Sequence, residues 1–300
     1  MKVSGFTLVR HGTKFDYPYI ESIRSLLPLV DELIVNVGIG EDDTLNQIRK
    51  LTSESGGEKI KLFESDWALN DPEKKRGGQI LAEQTNLALD RCTGDWCVYL
   101  QADEVLHEKD LPEIRRAMAS FLTDTQVDGL LFRYVHFYGS FDVVRESRGA
   151  YRREVRMIKK KSGARSVGDA QSFRLPDGEK PRVALLDAAI YHYGWVRPPE
   201  VMKEKTFFMD TLYHGEKASG ASETATGDNY RYKKIWGLVP FRGTHPAVML
   251  TRIQSKKWTW DLRNSPLEWS FSDLKKIILD LFERLTGVRL FEYRSYRRIR

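Results

Sequence analysis

The chain has 300 residues, of which 41% are hydrophobic and 30% charged, and its formal net charge is +6. This composition is ordinary for a globular protein with a sizeable core, and no apolar run approaches the ~20 residues that a membrane-spanning helix needs. The first ten residues turn polar too early for a signal peptide, so we expect a cytoplasmic protein. Two cysteines, Cys92 and Cys97, cannot complete a zinc site by themselves, and we expect both to be reduced and partly buried.

Short apolar runs and segments of helical spacing alternate along residues 1 to 105. The runs predict strands over 6–9, 33–37, 59–63 and 96–100, and the spacing predicts helices over 17–30, 44–51 and 79–91. This alternation predicts an α/β fold, with a mostly parallel sheet that is flanked by helices on both faces.

The pattern changes after Pro112. Further helices are predicted over 111–122, 199–213, 246–253 and 272–285, and further strands over 129–138, 155–159 and 185–193. The segment 214–230 is rich in Gly, Ala, Ser and Thr and poor in apolar residues, which predicts a flexible loop that orders over a bound ligand.

Two adjacent carboxylates, Asp103 and Glu104, follow directly after the strand predicted over 96–100. Ligands of open α/β sheets collect beyond the carboxyl ends of the parallel strands. Acidic side chains at that place suit a hard divalent cation that itself holds phosphates. A solvated acidic turn is the other interpretation of the same residues.

Four pieces of the sequence carry a family resemblance, in the order in which the family has them. They are the strand Phe6–Arg10 with the helix bearing Glu21-Ser22-Ile23, the strand and loop Leu33–Thr44, the segment from Gly77-Gly78 to Gly94-Asp95-Trp96, and Gln101-Ala102-Asp103-Glu104. Together they resemble a family 2 glycosyltransferase of the GT-A fold. The resemblance covers residues 5 to 110 well and continues loosely to residue 210.

The resemblance implies transfer of a sugar from a nucleotide-diphosphate donor to a hydroxyl of a glycan or glycolipid, as in surface polysaccharide or lipopolysaccharide biosynthesis. It further implies inversion at the anomeric carbon and dependence on Mn²⁺ or Mg²⁺. The corresponding division is a catalytic domain over 1–213, a flexible loop over 214–230 and a mainly helical C-terminal extension over 231–300. Within the catalytic domain, residues 1–110 would bind the nucleotide-sugar and residues 111–213 the acceptor.

The resemblance also assigns roles to single residues. We expect Asp103, Glu104 and His192 to bind the metal, and Asp169 to be the catalytic base, with Glu154 and Asp187 as alternatives. Arg197, Lys203 and Lys205 either screen the departing diphosphate or form a charged helix surface. The residues expected to bind the donor are Val9, Arg10, Asp42, Gln84, Asn86, Gln101, Ala102 and Asp103.

The sequence departs from the family pattern at two places. The metal motif of the family usually opens with Asp, and Gln101 stands there in this chain. The aspartates that end the second strand of the family fall on Val37 and Gly38, so we expect backbone atoms or Asp42 and Asp43 to recognise the base. A non-catalytic module that binds nucleotide-sugar or glycan is therefore an alternative. A nucleotidyltransferase is a further one, although the Gly-rich stretch typical of that class after the first strand is missing.

Basic residues concentrate in residues 145–165 and 294–300. Such clusters suit phosphorylated ligands or anionic surfaces, and no nucleic-acid-binding motif accompanies them. The helix predicted over 272–285 either lies on a membrane, giving peripheral contact with its inner face, or packs against the catalytic domain. Trp67 and Trp195 either stack on sugar rings and bases or fill the core.

Overall fold

The computed structural model describes residues 1–214, 230–265, 267–268 and 271–300. The predicted loop 214–230 lies outside these residues except for its two ends, His214 and Tyr230. Searching the described ranges for a helix with the length and apolarity to cross a bilayer finds none.

Thirteen strands and eight α-helices make up the described part of the chain. The strands are β1 (Val3–Val9), β2 (Glu32–Gly38), β3 (Ile60–Ser65), β4 (Trp96–Tyr99), β5 (Glu104–Leu106), β6 (Gly129–Tyr138), β7 (Ser140–Arg145), β8 (Arg153–Lys159), β9 (Arg165–Val167), β10 (Ser172–Arg174), β11 (Arg182–Trp195), β12 (Leu238–Pro240) and β13 (Arg297–Arg298). The helices are α1 (Tyr19–Leu26), α2 (Thr44–Leu51), α3 (Pro72–Lys75), α4 (Gln79–Asp90), α5 (Leu111–Phe121), α6 (Pro199–His214), α7 (Leu250–Gln254) and α8 (Phe271–Thr286).

Eleven strands form one mixed sheet, and β9 and β10 form a small antiparallel pair. In the large sheet β1 pairs in parallel with both β2 and β4, and β2 with β3. The antiparallel strand β8 joins this parallel half to the second half, where β6 pairs in parallel with the long strand β11. The predicted α/β fold is confirmed. The first half of the sheet is wholly parallel, whereas in the second half β5, β7, β8 and β12 form antiparallel pairs beside the parallel pairs of β11 with β6 and β13.

The core lies on both faces of the sheet. Along β2, Leu33, Val35 and Val37 belong to one apolar cluster and Ile34 to the other, as the alternation of side chains along a strand requires. Helices α1, α2 and α5 cover the first face, and α4 covers the second. Strands buried on both faces read as continuous apolar runs, which is why the sequence identified them.

The segment after residue 230 joins the sheet as well as adding helices. Strand β12 pairs with β7, and β13 pairs with β11, in addition to helices α7 and α8. The sequence predicts the helices but neither strand, because two or three residues are too few to show an alternating pattern.

Candidate functional site

A cavity of about 410 Å³ opens beyond the carboxyl ends of β1 and β4, beside the end of β11 and against α6. This is the place where ligands of open α/β sheets bind. Its lining includes many of the residues singled out in the sequence: Val9, Arg10, Trp67, Gln101, Ala102, Asp103, Asp169, His192, Trp195 and Lys205.

Asp103 is a buried carboxylate that faces two basic side chains. Its Oδ1 lies 3.7 Å from His192 Nε2, and its Oδ2 lies 3.6 Å from Lys205 Nζ. Burial by itself would raise the pKa of Asp103, but His192, Lys205 and Arg197 outweigh burial and lower it. Asp103 is therefore ionised at neutral pH.

A chain of two hydrogen bonds orients the imidazole of His192. His136, on β6, stands beside His192 in the parallel register of β6 and β11. His136 Nε2 lies 2.7 Å from the carbonyl oxygen of Tyr151, which only accepts, so Nε2 carries a proton and donates it. His136 Nδ1 lies 3.0 Å from His192 Nδ1.

The protonation states of His136 and His192 follow from these two hydrogen bonds. Burial, together with His192 beside it, lowers the pKa of His136 to about 3, so its ring is neutral and its Nδ1 accepts. His192 Nδ1 must then donate, and burial lowers the pKa of His192 too, despite the opposing effect of Asp103. The lone pair of His192 therefore lies on Nε2, the nitrogen that faces Asp103.

Gly194 keeps a space open between these two side chains. A Cβ atom at residue 194 would lie 2.5 Å from His192 Nε2 and 2.9 Å from Asp103 Oδ2. The missing side chain thus leaves a small cradle bounded by a carboxylate oxygen and an imidazole lone pair. Within the described ranges no three His, Cys, Asp or Glu side chains form a metal-binding group.

Lys205, on α6, is the third charged group at this point. Its ammonium donates to the carbonyl oxygen of Gly194 at 2.7 Å and lies over the rings of Tyr17 and Trp195. Burial and the neighbouring Arg197 lower the pKa of Lys205 to about 7, although Asp103 opposes them. Lys205 therefore changes its charge easily near neutral pH. Arg197 is itself buried and donates to the carbonyl oxygen of Phe15.

Glu104 does not face the cavity. Its carboxylate forms a fully buried, two-point pair with Arg156, with Nε–Oε2 and Nη2–Oε1 distances of 2.8 Å. It also accepts from the Tyr134 hydroxyl and the Gln101 backbone N–H. With both oxygens engaged, Glu104 fixes the turn that places residues 101–103 at the cavity, and its carboxylate has no oxygen left to face the cavity.

Replacing Glu104 by glutamine is expected to destabilise the fold by about 3–5 kcal/mol, because it leaves the buried Arg156 charge uncompensated. Chemical denaturation followed by circular dichroism measures this. The matched control is Asp187→Asn, which breaks the exposed pair of Asp187 with Arg133 and should cost about 0–1 kcal/mol. A Glu104→Gln protein of unchanged stability that lost Mn²⁺ affinity would return Glu104 to the metal site.

Asp169 lines the cavity from the turn between β9 and β10. Its Oδ2 accepts from the Tyr213 hydroxyl at 3.2 Å, and its Oδ1 accepts from the Gln171 N–H at 3.2 Å. Of the two alternatives, Asp187 is exposed and paired with Arg133. Glu154 is buried behind Gln171, and burial raises its pKa to about 7.

Three of the predicted donor-binding residues lie outside the cavity lining and are engaged in the fold. Asp42 accepts from the backbone N–H of Lys14 and from the Thr44 hydroxyl. Gln84 joins Asn36, Ser65 and Asp66 by hydrogen bonds, and Asn86 binds both backbone polar groups of Ser166. Lys203 is not part of the cavity lining either.

Trp67 occupies the place beside Gly38 at the end of β2. A Cβ atom at residue 38 would lie 2.5 Å from Trp67 Nε1, so the glycine allows the indole to pack there. Trp67 is 4% exposed and lines the cavity. In the part of the chain that the structure describes, Trp67 Nε1 has no hydrogen-bond acceptor.

Sequence reasoning missed His136, Gly194 and Tyr213. His136 had a detectable signal, since Tyr134 and His136 alternate with apolar residues in a strand, as His192 does. Gly194 and Tyr213 carry no local signal, because their roles depend on side chains that only the tertiary fold brings near.

Solved structures that are similar to the chain include those of two proteins, TarS and PcManGT. The structure of TarS (residues 1–349) from S. aureus in complex with UDP-GlcNAc has a TM-score of 0.40 and 12% identity, and the match covers 71% of this chain and 66% of that one. The mannosyltransferase PcManGT from Pyrobaculum calidifontis in complex with GDP-Man and Mn²⁺ has a TM-score of 0.40 and 14% identity, with 64% and 56% covered. The chain thus spans 56–66% of the length of these structures. No protein-family model and no curated protein sequence matches it.

Proposed function

We propose that the chain is a glycosyltransferase that moves a sugar from a nucleotide-diphosphate donor to a hydroxyl of a glycan or glycolipid. The observation that carries the proposal is the meeting of Asp103 and His192, 89 positions apart in the sequence, at 3.7 Å in a cavity at the carboxyl ends of the parallel strands. Asp169 lies in the lining of the same cavity.

The residues present fit a divalent cation. The cradle beside Gly194 joins an ionised carboxylate to an imidazole nitrogen whose lone pair is free, and Mn²⁺ accepts both kinds of ligand. Two protein ligands suffice when the phosphates of the substrate complete the coordination, which is how Mg²⁺ and similar ions bind in many phosphate sites. Bound there, such an ion would act as a Lewis acid on the diphosphate. Gln101 contributes a neutral side chain to the lining and no charge.

The reaction breaks the bond between the anomeric carbon and the diphosphate oxygen while the acceptor oxygen attacks from the opposite face. The acceptor hydroxyl loses its proton, which Asp169 takes as general base. Negative charge collects on the departing diphosphate, and the ammonium of Lys205, 3.6 Å from Asp103, would stabilise it. This sequence inverts the configuration of the anomeric carbon.

In this proposal the nucleotide base is not recognised by carboxylates at the end of β2, because β2 ends in Val37 and Gly38. Asp42 and Asp43 are both engaged locally, Asp42 with Lys14 and Thr44 and Asp43 with Asn46 and Gln47. Trp67 lines the cavity, its buried Nε1–H has no acceptor among the described residues, and a carbonyl oxygen of the base that reached it would satisfy it. Trp195, 36% exposed at the cavity, offers a ring face to a sugar.

A thermal-shift series with nucleotide sugars tests the proposal, beginning with UDP-GlcNAc and GDP-Man. A ligand that binds only the folded chain raises its melting temperature, by an amount that grows with concentration. We expect one donor to stabilise the protein when Mn²⁺ is present, and to release nucleoside diphosphate slowly when no acceptor is added. Binding without release, even with candidate acceptors, would favour the non-catalytic binding module. Release of pyrophosphate from a nucleoside triphosphate and a sugar phosphate would favour the nucleotidyltransferase.

Gly194→Ala is expected to lower Mn²⁺ affinity roughly 10- to 100-fold, the range typical of changes directly around a metal ligand. The new methyl group would fill the cradle between His192 and Asp103. Residue 194 has no left-handed backbone angle that would disfavour alanine, but a Cβ atom 2.5 Å from His192 Nε2 requires that imidazole to shift, which itself removes it from the cradle. Electron paramagnetic resonance of Mn²⁺ titrated in the presence of nucleoside diphosphate measures the affinity.

The thermal melt of the metal-free variant is the control for folding. A variant that melts like the wild type and still binds Mn²⁺ with wild-type affinity would show that the cation does not occupy the cradle.

A further inference from the structure

Helix α8 is attached to the rest of the protein by its charged side. Asp280 receives the Trp236 indole N–H at 3.0 Å and lies 3.3 Å from Arg148 Nε. Glu283 pairs with Arg148 at 3.2 Å and with Arg152 at 2.8 Å. These contacts are largely shielded from water, so the acidic residues of α8 face inward.

The apolar side of the same helix faces outward. Phe271 is 90% exposed and Leu285 is 87% exposed, values that are unusual for such large apolar side chains. The exposed apolar residues continue beyond the helix into the following loop. We call this the outer surface; it comprises Phe271, Leu274, Ile278, Leu281, Phe282, Leu285, Val288, Leu290 and Phe291.

The arrangement is the reverse of an ordinary surface helix, whose apolar stripe faces the core. The sequence left two interpretations of this helix open, and the structure disagrees with packing of its apolar face against the catalytic domain. An exposed apolar patch of this extent marks an interaction surface.

Charge identifies the kind of partner. Residues 271–300 contain eight basic and four acidic residues, so this segment holds +4 of the net +6 of the chain. Lys275 and Arg284 lie on the two sides of the stripe, about 70° and about 110° around the helix from its centre, and the guanidinium of Arg284 lies 6.0 Å from the centre of the Trp236 ring, so it must swing outward to meet a partner. Long basic side chains in these positions reach from an apolar interface to anionic head groups.

We propose that the outer surface lies on a membrane that contains anionic lipid, with α8 parallel to the bilayer plane. The apolar side chains enter the boundary between head groups and acyl chains, and Lys275 and Arg284 contact the lipid phosphates. A second copy of the chain fits less well. In such a dimer Lys275 and Arg284 of both copies would lie at the contact, and their like charges would repel one another. The proposal is independent of the reaction that the cavity catalyses.

Sedimentation with vesicles tests the proposal on the full chain. Vesicles of phosphatidylcholine mixed with phosphatidylglycerol should carry the protein into the pellet, and vesicles of phosphatidylcholine alone should carry much less. The double variant Ile278→Ser with Leu285→Ser should bind roughly 100-fold more weakly, since each large apolar side chain kept from water contributes about tenfold or more. Lys275→Gln with Arg284→Gln should weaken binding roughly fivefold per charge, and added salt should reduce that difference.

The matched control is Leu250→Ser, which removes a leucine that is 48% exposed on α7, outside the outer surface; it should bind like the wild type. Circular dichroism and the melting temperature establish that each variant is folded. Wild-type protein that stays in the supernatant with both kinds of vesicle overturns the proposal. So does a folded Ile278→Ser, Leu285→Ser variant that binds vesicles like the wild type. A dimer in light scattering that this variant converts to a monomer, without vesicle binding by either, would assign the outer surface to a second copy.

Discussion

Asp103→Asn is expected to lower nucleoside diphosphate release by roughly 10²–10⁴-fold at saturating donor and Mn²⁺. The amide keeps the shape of the side chain but loses the charge that faces His192 and Lys205. A cation in the cradle would then have one neutral imidazole as its only strong protein ligand. Steady-state release of nucleoside diphosphate, with Mn²⁺ raised in steps, measures the effect.

Two comparisons make this result specific to Asp103. Asp187→Asn removes an exposed carboxylate that lies outside the cavity lining and should leave the rate unchanged. The melting temperature of metal-free Asp103→Asn should fall, since the ionised carboxylate is stabilised by its basic neighbours and its loss leaves the buried Lys205 without a partner charge; rates are therefore compared at a temperature at which circular dichroism shows the variant folded. Wild-type turnover by a folded Asp103→Asn protein would remove Asp103 from the site and leave the metal proposal without its anionic ligand.

The strands and helices of the first half could be predicted because their signals are local. The run Leu33–Val37 is apolar throughout because β2 is buried on both faces, and helix α2 begins and ends at the predicted residues Thr44 and Leu51. Strand β5 was missed, because Glu104-Val105-Leu106 becomes a strand only by pairing with β11, more than 80 residues later.

Of the candidate site, the position of Asp103 could be predicted from the sequence and the role of Glu104 could not. Asp103 follows a recognisable strand, which brings it to the carboxyl edge of the sheet. The role of Glu104 could not be predicted, because it depends on Arg156, which approaches from β8, 52 residues away. Two adjacent carboxylates look alike in a sequence, and the buried guanidinium is what separates them here.

Helix α8 shows a different limit. Its apolar spacing was evident, and an apolar stripe normally indicates the side that meets the core. The inward face is instead decided by Arg148 and Arg152, which pair with Asp280 and Glu283. These arginines lie about 130 residues earlier in the chain. The sequence near the helix therefore does not show which of its faces meets the protein.

Asp169→Asn is expected to lower the rate by roughly 10²–10⁴-fold, the usual cost of losing a general base, while donor affinity stays within a few-fold. The amide oxygen can still accept from the Tyr213 hydroxyl and the Gln171 N–H, so the loop geometry should persist. Rates of sugar transfer, or of nucleoside diphosphate release to water, measure the first quantity, and calorimetry of donor binding measures the second.

Tyr213→Phe is the matched control, because it removes the hydrogen bond to Asp169 and keeps the carboxylate. It should reduce the rate far less than Asp169→Asn if the carboxylate accepts the proton, and equally if Asp169 merely positions Tyr213. Glu154→Gln decides the remaining alternative. Because burial raises the pKa of Glu154 to about 7, a rate that depended on its ionised form would increase as the pH rises through 7. Loss of that rise in Glu154→Gln, with an unchanged rate in Asp169→Asn, would make Glu154 the base.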